Sequence, residues 1–479
     1  MVLSASMQCT ARELGRYMVG HVGAIPQPLA DFVAGRCGSY GSFAGAWMSR
    51  GTGPATSGEA ELVAHFRGQL ATAVQEFSAA AAGPTAVGAW FGRDGDRFLF
   101  LLAAESRRVA IEPRPFTPEA DGRVTIEGRT LEATAHISGF VNRGQWSSAL
   151  CEVDATVRMP RFRVRCPLGP QDVAARVELS AMAPGRLLGH TVFSAVVGAG
   201  RDAARTFDVR AADASRVTTD PARAREALLA GLNEARAEAG LAPVQLAARE
   251  TDVACQATPA YFSSATDPSA AGSVDQIALG LMAGWDVDGG MIREGSFFSG
   301  GGVEEDDMGR WVSWALERPL ARQVLLDGEV RQVAVCPWTV EGHTLGVLWS
   351  SYRFFAEGTQ PQELARVYER LDAARRAAGR PPVERLSRLE AGLKAHAQTL
   401  ERGQGGLEPT LQAMLESATN ATGSAVRGWV IPTTDLDSIE FPRDLLDGNA
   451  LRLVAQVAHW RSPEDAWGQT VVFLVIQAS

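Results

Sequence analysis

Histidines and carboxylates are the side chains that most readily move protons or hold metals near neutral pH. Seven histidines stand at positions 21, 65, 136, 190, 343, 396 and 459, and no two lie four apart as zinc ligands on one helix face would. Each therefore reads as a surface or internally satisfied residue. His343, close to Glu341 in a turn expected to join two strands, is the best placed for chemistry. No Gly-x-Ser-x-Gly elbow, Walker loop or His-Glu-x-x-His motif occurs. Asp286-Val287-Asp288-Gly289-Gly290 begins like a calcium loop, but Phe297 stands where such a loop needs a bidentate glutamate. Four consecutive acids, Glu304 to Asp307, precede an expected helix. A helix N-terminus favours acids through its dipole and free amides, and a cation or basic partner is the other use for them. Trp311, Trp314, Trp338 and Trp349 are dense enough to build a core or to line a groove for a sugar or peptide.

The chain that must position these groups has 479 residues, room for about three to four domains of roughly 100–200 residues each. Its formal charge of -9 argues against a nucleic-acid partner, which would need a basic stripe. No run of about 18 apolar residues exists, so no membrane span is expected. Only Lys394 among the 46 basic residues is a lysine. Arginine codon preference explains this, or an arginine-based anion surface, although the arginines are scattered. Six cysteines stand at 9, 37, 151, 166, 255 and 336. They fall two to a segment, which favours local disulfides Cys9–Cys37, Cys151–Cys166 and Cys255–Cys336 over a metal site. Six buried thiols in a reducing compartment are the alternative. Met1 to Gln8 is too short and uncharged for a complete secretory signal, so an exported protein would have lost its leader. Cys9 would then lie near a mature N-terminus, as a lipid anchor or in a disulfide.

Periodicity divides the chain into four. Residues 9–104 read as a helical and hairpin domain. It has a helical segment around Leu14 to Met18, broken at Pro26 and Pro28, and an amphipathic helix through Leu62, Phe66, Leu70, Val74 and Phe77. Ser39 to Gly58 reads as a surface loop, and strands at 86–91 and 98–102 flank a turn-rich loop at Gly92 to Asp96. Residues 105–216 carry short β-type runs at 108–111, 124–126, 131–137, 155–159, 162–166, 175–179 and 191–197, the pattern of a β-sandwich. A linker is expected at 208–215.

Residues 222–356 and 361–479 open with one stretch written twice. Leu232, Arg236, Gly240 and Pro243 recur 139 positions later as Leu371, Arg375, Gly379 and Pro382. An internal repeat of this length points to two related domains. Each places helices before antiparallel strands, which makes the chain an α+β multidomain protein with helices over sheets. Further helices are expected at 308–316, 389–400 and 411–419. Strands are expected at 332–336 and 345–352, and again at 426–431, 451–457 and 471–476.

The repeat resembles the opening helix of the CAP superfamily, which comprises cysteine-rich secretory proteins, antigen 5, plant pathogenesis-related proteins and bacterial relatives. Leu232 to Val244 is similar to the Leu-x-x-x-Arg-x-x-x-Gly-x-x-Pro-Leu stretch of the bacterial members. Arg293-Glu294-Gly295 looks like the family's Gly-Glu-Asn segment, and Arg318-Pro319-Leu320-Ala321-Arg322 like its Ser-Pro-x-His-Arg motif. The resemblance covers 222–356 and extends in degenerate form to 361–479, with 9–104 a further candidate copy. It implies α-β-α sandwich domains and a cleft where two histidines and two glutamates hold a divalent metal. One histidine position is Ala321 here, and no histidine stands around Thr258 to Ser264, where the other falls. Glu294 keeps one glutamate position, Glu304 or Glu305 approximates the other, and Arg322 closes the motif. Carboxylates without imidazoles make a poor zinc or catalytic site.

The expected function is therefore non-enzymatic, with no cofactor and no metal. The chain reads as an extracellular or periplasmic protein that binds an unknown protein, glycan or lipid partner in adhesion or assembly. The alternatives are a CAP-type hydrolase using Glu294 and the acids at 304–307, and a lipid or small-molecule carrier.

Overall fold

The structure, a computed structural model, describes every residue outside 1, 24, 53–57, 81–83, 113–115, 117, 170–173, 199–217, 266–267, 305–306, 341–343, 448–450 and 478–479. The expected linker at 208–215 and His343 lie outside the described residues. The architecture is α+β. It comprises three four-stranded sheets covered by helices and, after the first of them, two further four-stranded sheets that share one core.

The N-terminal unit runs β1 (Val2–Leu3), α1 (Ala5–Val19), α2 (Gln27–Arg36), β2 (Ser42–Thr52), α3 (Glu59–Ala80), β3 (Thr85–Asp94) and β4 (Arg97–Ser106). Two sequence expectations fail here. The stretch read as a surface loop contains the 11-residue strand β2. Its glycines are places of close approach: a Cβ on Gly51 would lie 2.3 Å from the Phe98 ring, and Gly45 has φ +133° with Phe77 beside it. The five-residue loop expected between the hairpin strands shrinks to a turn at Gly95-Asp96, with Gly95 in the left-handed region at φ +61°.

The two-sheet unit contains β5 (Val109–Ile111), β6 (Arg123–Thr130), β7 (His136–Arg143), β8 (Ser147–Leu150), β9 (Glu152–Val153), β10 (Arg161–Pro167), β11 (Ala174–Met182) and β12 (His190–Gly198). Strand orders are β5-β6-β10-β9 and β12-β11-β7-β8. Alternate residues point inward, so Val124, Ile126, Phe162 and Val164 of one sheet meet Ile137, Val177, Leu179 and Phe193 of the other. Residues 155–159, expected as a strand, form turns instead: Asp154 accepts a bond from the Thr156 amide at 2.9 Å and closes the loop. Leu131 to Ala135, expected to begin a strand, precede β7 as loop.

The third unit runs α4 (Pro221–Glu238), β13 (Gln245–Leu246), α5 (Ala248–Ala265), α6 (Ala271–Ala283), β14 (Ile292–Glu304), α7 (Met308–Glu317), α8 (Pro319–Leu325), β15 (Gln332–Val340) and β16 (Thr344–Phe354). The fourth runs α9 (Gln360–Ala377), β17 (Glu384–Arg385), α10 (Ser387–Glu401), α11 (Leu407–Thr422), β18 (Val426–Thr433), α12 (Arg443–Asp447), β19 (Arg452–Trp460) and β20 (Gln469–Gln477). Helix α4 starts where Asp220 accepts from the Arg223 amide at 2.9 Å and Pro221 fills the first helical position. Leu228 and Leu232 on its inner face are buried. Gly240, at φ +72°, ends that run, as Gly379 at φ +71° does in the fourth unit.

The three helix-covered sheets have one connectivity: β1-β3-β4-β2, β13-β15-β16-β14 and β17-β19-β20-β18. In each, a two-residue strand pairs in parallel with the third strand, in the registers Leu3↔Val87, Leu246↔Val333 and Arg385↔Leu453. Residues 2–106 thus follow the element order of the fourth unit from the short strand onward, and of the third except that there two helices, α7 and α8, replace the single helix before the third strand. In the third unit α4, α7 and α8 cover one face of the sheet around Trp311, Trp314 and Trp349, and α5 and α6 cover the other around Tyr261, Leu281 and Leu348. Three disulfides join Cys9 to Cys37, Cys151 to Cys166 and Cys255 to Cys336. No described helix is long and apolar enough to cross a membrane.

Candidate functional site

The repeated arginines, Arg236 and Arg375, occupy equivalent places in the third and fourth units. Arg236 is fully buried. Its Nε donates to the Ala242 carbonyl at 2.8 Å, and one terminal nitrogen donates to the carbonyls of Leu325 at 2.9 Å and Asp327 at 3.0 Å. Arg375, also fully buried, donates from Nε to Pro381 at 2.9 Å and from a terminal nitrogen to Leu445. One helical turn earlier, Asn233 accepts from the Val244 amide at 2.9 Å and Asp372 from the Val383 amide at 2.9 Å. The signature therefore encodes a staple. A guanidinium fork ties the opening helix to its own exit loop and to the chain just before the third strand. Burial lowers the Arg236 pKa and the Asp327 carboxylate opposes that. Nothing here faces a substrate.

The residues expected to mark a cleft do not converge. Glu294, on β14, is half-exposed and pairs with Arg353 at 2.6 Å. Arg353 also bonds Asp327, and Glu329 pairs with Arg293. Glu294 is thus part of a surface ion network. Glu304 closes β14, but its side chain and all of Glu305 lie outside the described residues. Asp307 caps α7, accepting from the Arg310 amide at 3.0 Å, which is the helix-terminus role open to these acids.

Arg322 points elsewhere. It is 8 % exposed, and its Nε donates to Leu316 at 2.7 Å while a terminal nitrogen reaches the carbonyls of Gly144 and Ser147, both at 3.3 Å, in the β7–β8 turn. Burial pushes its pKa down to about 10, and Glu317 opposes the shift. Arg318 pairs with Glu178 of β11 at 3.3 Å and Asp31 of α2 at 3.6 Å, and stacks over Trp314. Asn142 donates to the Glu317 carbonyl at 2.8 Å. Residues 317–322 are therefore the meeting point of three units. Glu317 sits among these charges with its pKa raised by burial, which Arg176 opposes and Asp31 reinforces. Glu294 and Arg322 share no partner among the described residues, Ala321 is fully buried, and the Thr258 hydroxyl donates to the Ala254 carbonyl at 2.7 Å. Among the described residues no group of three or more histidine, cysteine or acidic side chains is placed to hold a metal.

Several polar clusters escape a reading of the sequence because their members are far apart in the chain. His459, 6 % exposed, bonds Glu363 at 2.7 Å, stacks on Phe355 and donates its amide to Glu401 at 3.0 Å. His190 bonds Glu132 at 2.5 Å beside Arg108. Glu105, fully buried, accepts from Ser39, the Gly41 amide and Arg107. Glu250, 2 % exposed, accepts from the Asp286 amide at 3.0 Å. Glu105, Glu250 and His459 are buried among their own partners, whereas the His190–Glu132–Arg108 group is partly exposed.

A pocket of about 190 Å³ opens between the first turns of α4 and α7 and the β15–β16 hairpin. Thr218, Thr219, Met308, Trp338, Thr339 and Leu345 contribute to its lining. Trp338 is 41 % exposed, whereas Trp311, Trp314 and Trp349 are core residues. Among the described residues the lining is apolar and hydroxyl-bearing, which suits a small neutral group. No protein-family model matches this chain, and no curated protein matches it either.

Proposed function

We propose that the chain is an exported, non-enzymatic binding, adhesion or assembly protein of the cell envelope or extracellular space. On this reading it is built from degenerate CAP-like copies at 222–356 and 361–479, a further copy within 9–104, and a β-sandwich at 105–216. The observation that carries the reading is the use made of residues 317–322. Where the resemblance implies a metal-binding motif, the side chains and carbonyls fasten three units together. The recurring helix–sheet–helix layering around one strand order supports the copies, and the paired cysteines support an oxidising compartment. Units joined in this way offer broad surfaces to a protein, glycan or lipid partner.

Calorimetric titration of the oxidised protein with zinc and calcium tests this. The expected result is no stoichiometric binding to wild type or to Glu294→Ala. Tight one-to-one binding lost in Glu294→Ala would replace the proposal with the metal-hydrolase reading. Lipid recovered by mass spectrometry from the purified, denatured protein would replace it with the carrier.

A further inference from the structure

The outer face of the β5-β6-β10-β9 sheet and the turn leading into β10 carry six arginines in two groups of different character. Near one end, each has acids to answer it. Arg163 pairs with Glu127 at 2.6 Å and Asp154 at 3.1 Å, Arg165 with Asp121 at 2.9 Å, and Arg123 with Glu152 at 2.5 Å. Two residues further along the strands the pattern reverses. Arg161 of β10 stands directly opposite Arg129 of β6, and Arg158 joins them through the turn in which the Arg161 amide donates to the Arg158 carbonyl at 3.1 Å. All three are exposed, and no ion pair or side-chain hydrogen bond engages any of them among the described residues.

Like charges directly opposite on paired strands repel and destabilise the pair. Opposed Cβ atoms lie only about 4.5–5.5 Å apart. The backbone holds this trio in place nonetheless: the Thr130 amide donates to the Pro160 carbonyl at 2.8 Å, and the Asp154 turn fixes the loop that carries Arg158. Arginines held at one end of a sheet face by fixed backbone suit a doubly charged tetrahedral oxyanion, whose oxygens several guanidinium groups can share, better than a single carboxylate. On a chain of net charge -9, a localised positive site of this kind also sets where an anion lands.

We infer that Arg129, Arg158 and Arg161 form a binding site for a phosphate or sulfate group, carried by a soluble ligand or by a lipid headgroup. The test uses the full oxidised chain and inorganic phosphate, measured by isothermal calorimetry against sodium chloride at matched ionic strength. Phosphate binds saturably. Affinity falls at least about tenfold in Arg129→Ala/Arg161→Ala, the loss of two charge-assisted contacts, and stays within about twofold in the distant control Arg388→Ala. Without phosphate and at low salt, the double variant melts at or above the wild-type temperature, because the opposed charges are gone. Flotation with vesicles containing phosphatidic acid, competed by inorganic phosphate, then separates a membrane source (vesicles bound) from a soluble one (vesicles ignored). Phosphate heats no larger than those of chloride, unchanged binding in the double variant, or a lower melting temperature in that variant would each overturn the inference.

Discussion

Replacing Arg236 by alanine tests whether the repeated arginine is a staple. The substitution removes three hydrogen bonds to carbonyls at positions 242, 325 and 327, around a side chain that is fully buried. Hydrogen bonds to a charged group contribute about 1.5–3 kcal/mol each, and an orphaned buried acceptor costs about 1–3 kcal/mol. Relaxation and water entry recover part of this, so the expected loss is about 3–5 kcal/mol, the range seen when one partner of a buried charged contact is removed. With a urea m-value of about 2 kcal/mol/M, the midpoint of the third unit falls by about 2 M. Arg375→Ala should do the same to the fourth unit, because its bonds to Pro381 and Leu445 are the counterparts. Hydrogen exchange read by mass spectrometry across a urea series follows α4 and α9 separately. Each variant should open its own unit early and leave the other near its wild-type midpoint. A midpoint shift below about 0.5 M in either variant, or equal loosening of both units by one substitution, would refute the staple.

Removing Cys255–Cys336, which closes an 81-residue separation, should cost about 4.5 kcal/mol by chain entropy. The 15-residue closure of Cys151–Cys166 is worth about 3 kcal/mol, so scanning calorimetry of the two double-alanine variants should rank them in that order. Burial holds the Glu250 carboxyl above its ordinary value of 4.5, while the Asp286 amide opposes this and the Asp286 charge adds to it. The folded chain therefore keeps a proton that the unfolded chain has lost, and stability falls as pH rises from the ordinary value through the raised one. Glu250→Gln keeps an oxygen for the amide, so it should raise the melting temperature at about pH 7 and leave it unchanged near pH 3.5, below both values. Arg322→Ala should free the carbonyls of Gly144 and Ser147 and loosen the joint between the third unit and the β7–β8 turn. Faster exchange in that turn and a larger radius of gyration by solution scattering would show it.

Local signals are legible in the sequence where one stretch of chain contains the whole interaction. The apolar stripe of α3, the Asp220-Pro221 start of α4 and the glycines that end both repeat helices belong to this class. Strand β20 is legible because it is an uninterrupted apolar run buried on both faces, from Val471 to Val475. Helix α5 escapes because cysteine, threonine, proline and serine dilute its periodicity, and tertiary packing of Ala254 and Tyr261 overrides weak propensity. Strand β2 escapes because its glycines, which admit neighbouring rings, look like loop residues. The site is harder still. Glu178 and Asp31 become neighbours of Arg318 only through the joint between units, and the opposition of Arg129 to Arg161 depends on strand register. Residue types alone specify neither.

The placement of the three covalent cross-links gives the array a graded response to pulling. Tension applied through the chain cannot draw out the residues between Cys255 and Cys336, and the same holds on a shorter scale for Cys151–Cys166 and Cys9–Cys37. The fourth unit contains no cysteine, so all of it can unravel. At about 3.4 Å of extension per residue it could release roughly several hundred ångströms, with no stretch held back by a covalent loop. Fully drawn out, the chain would keep three short-circuited loops and a C-terminal stretch at its whole contour length.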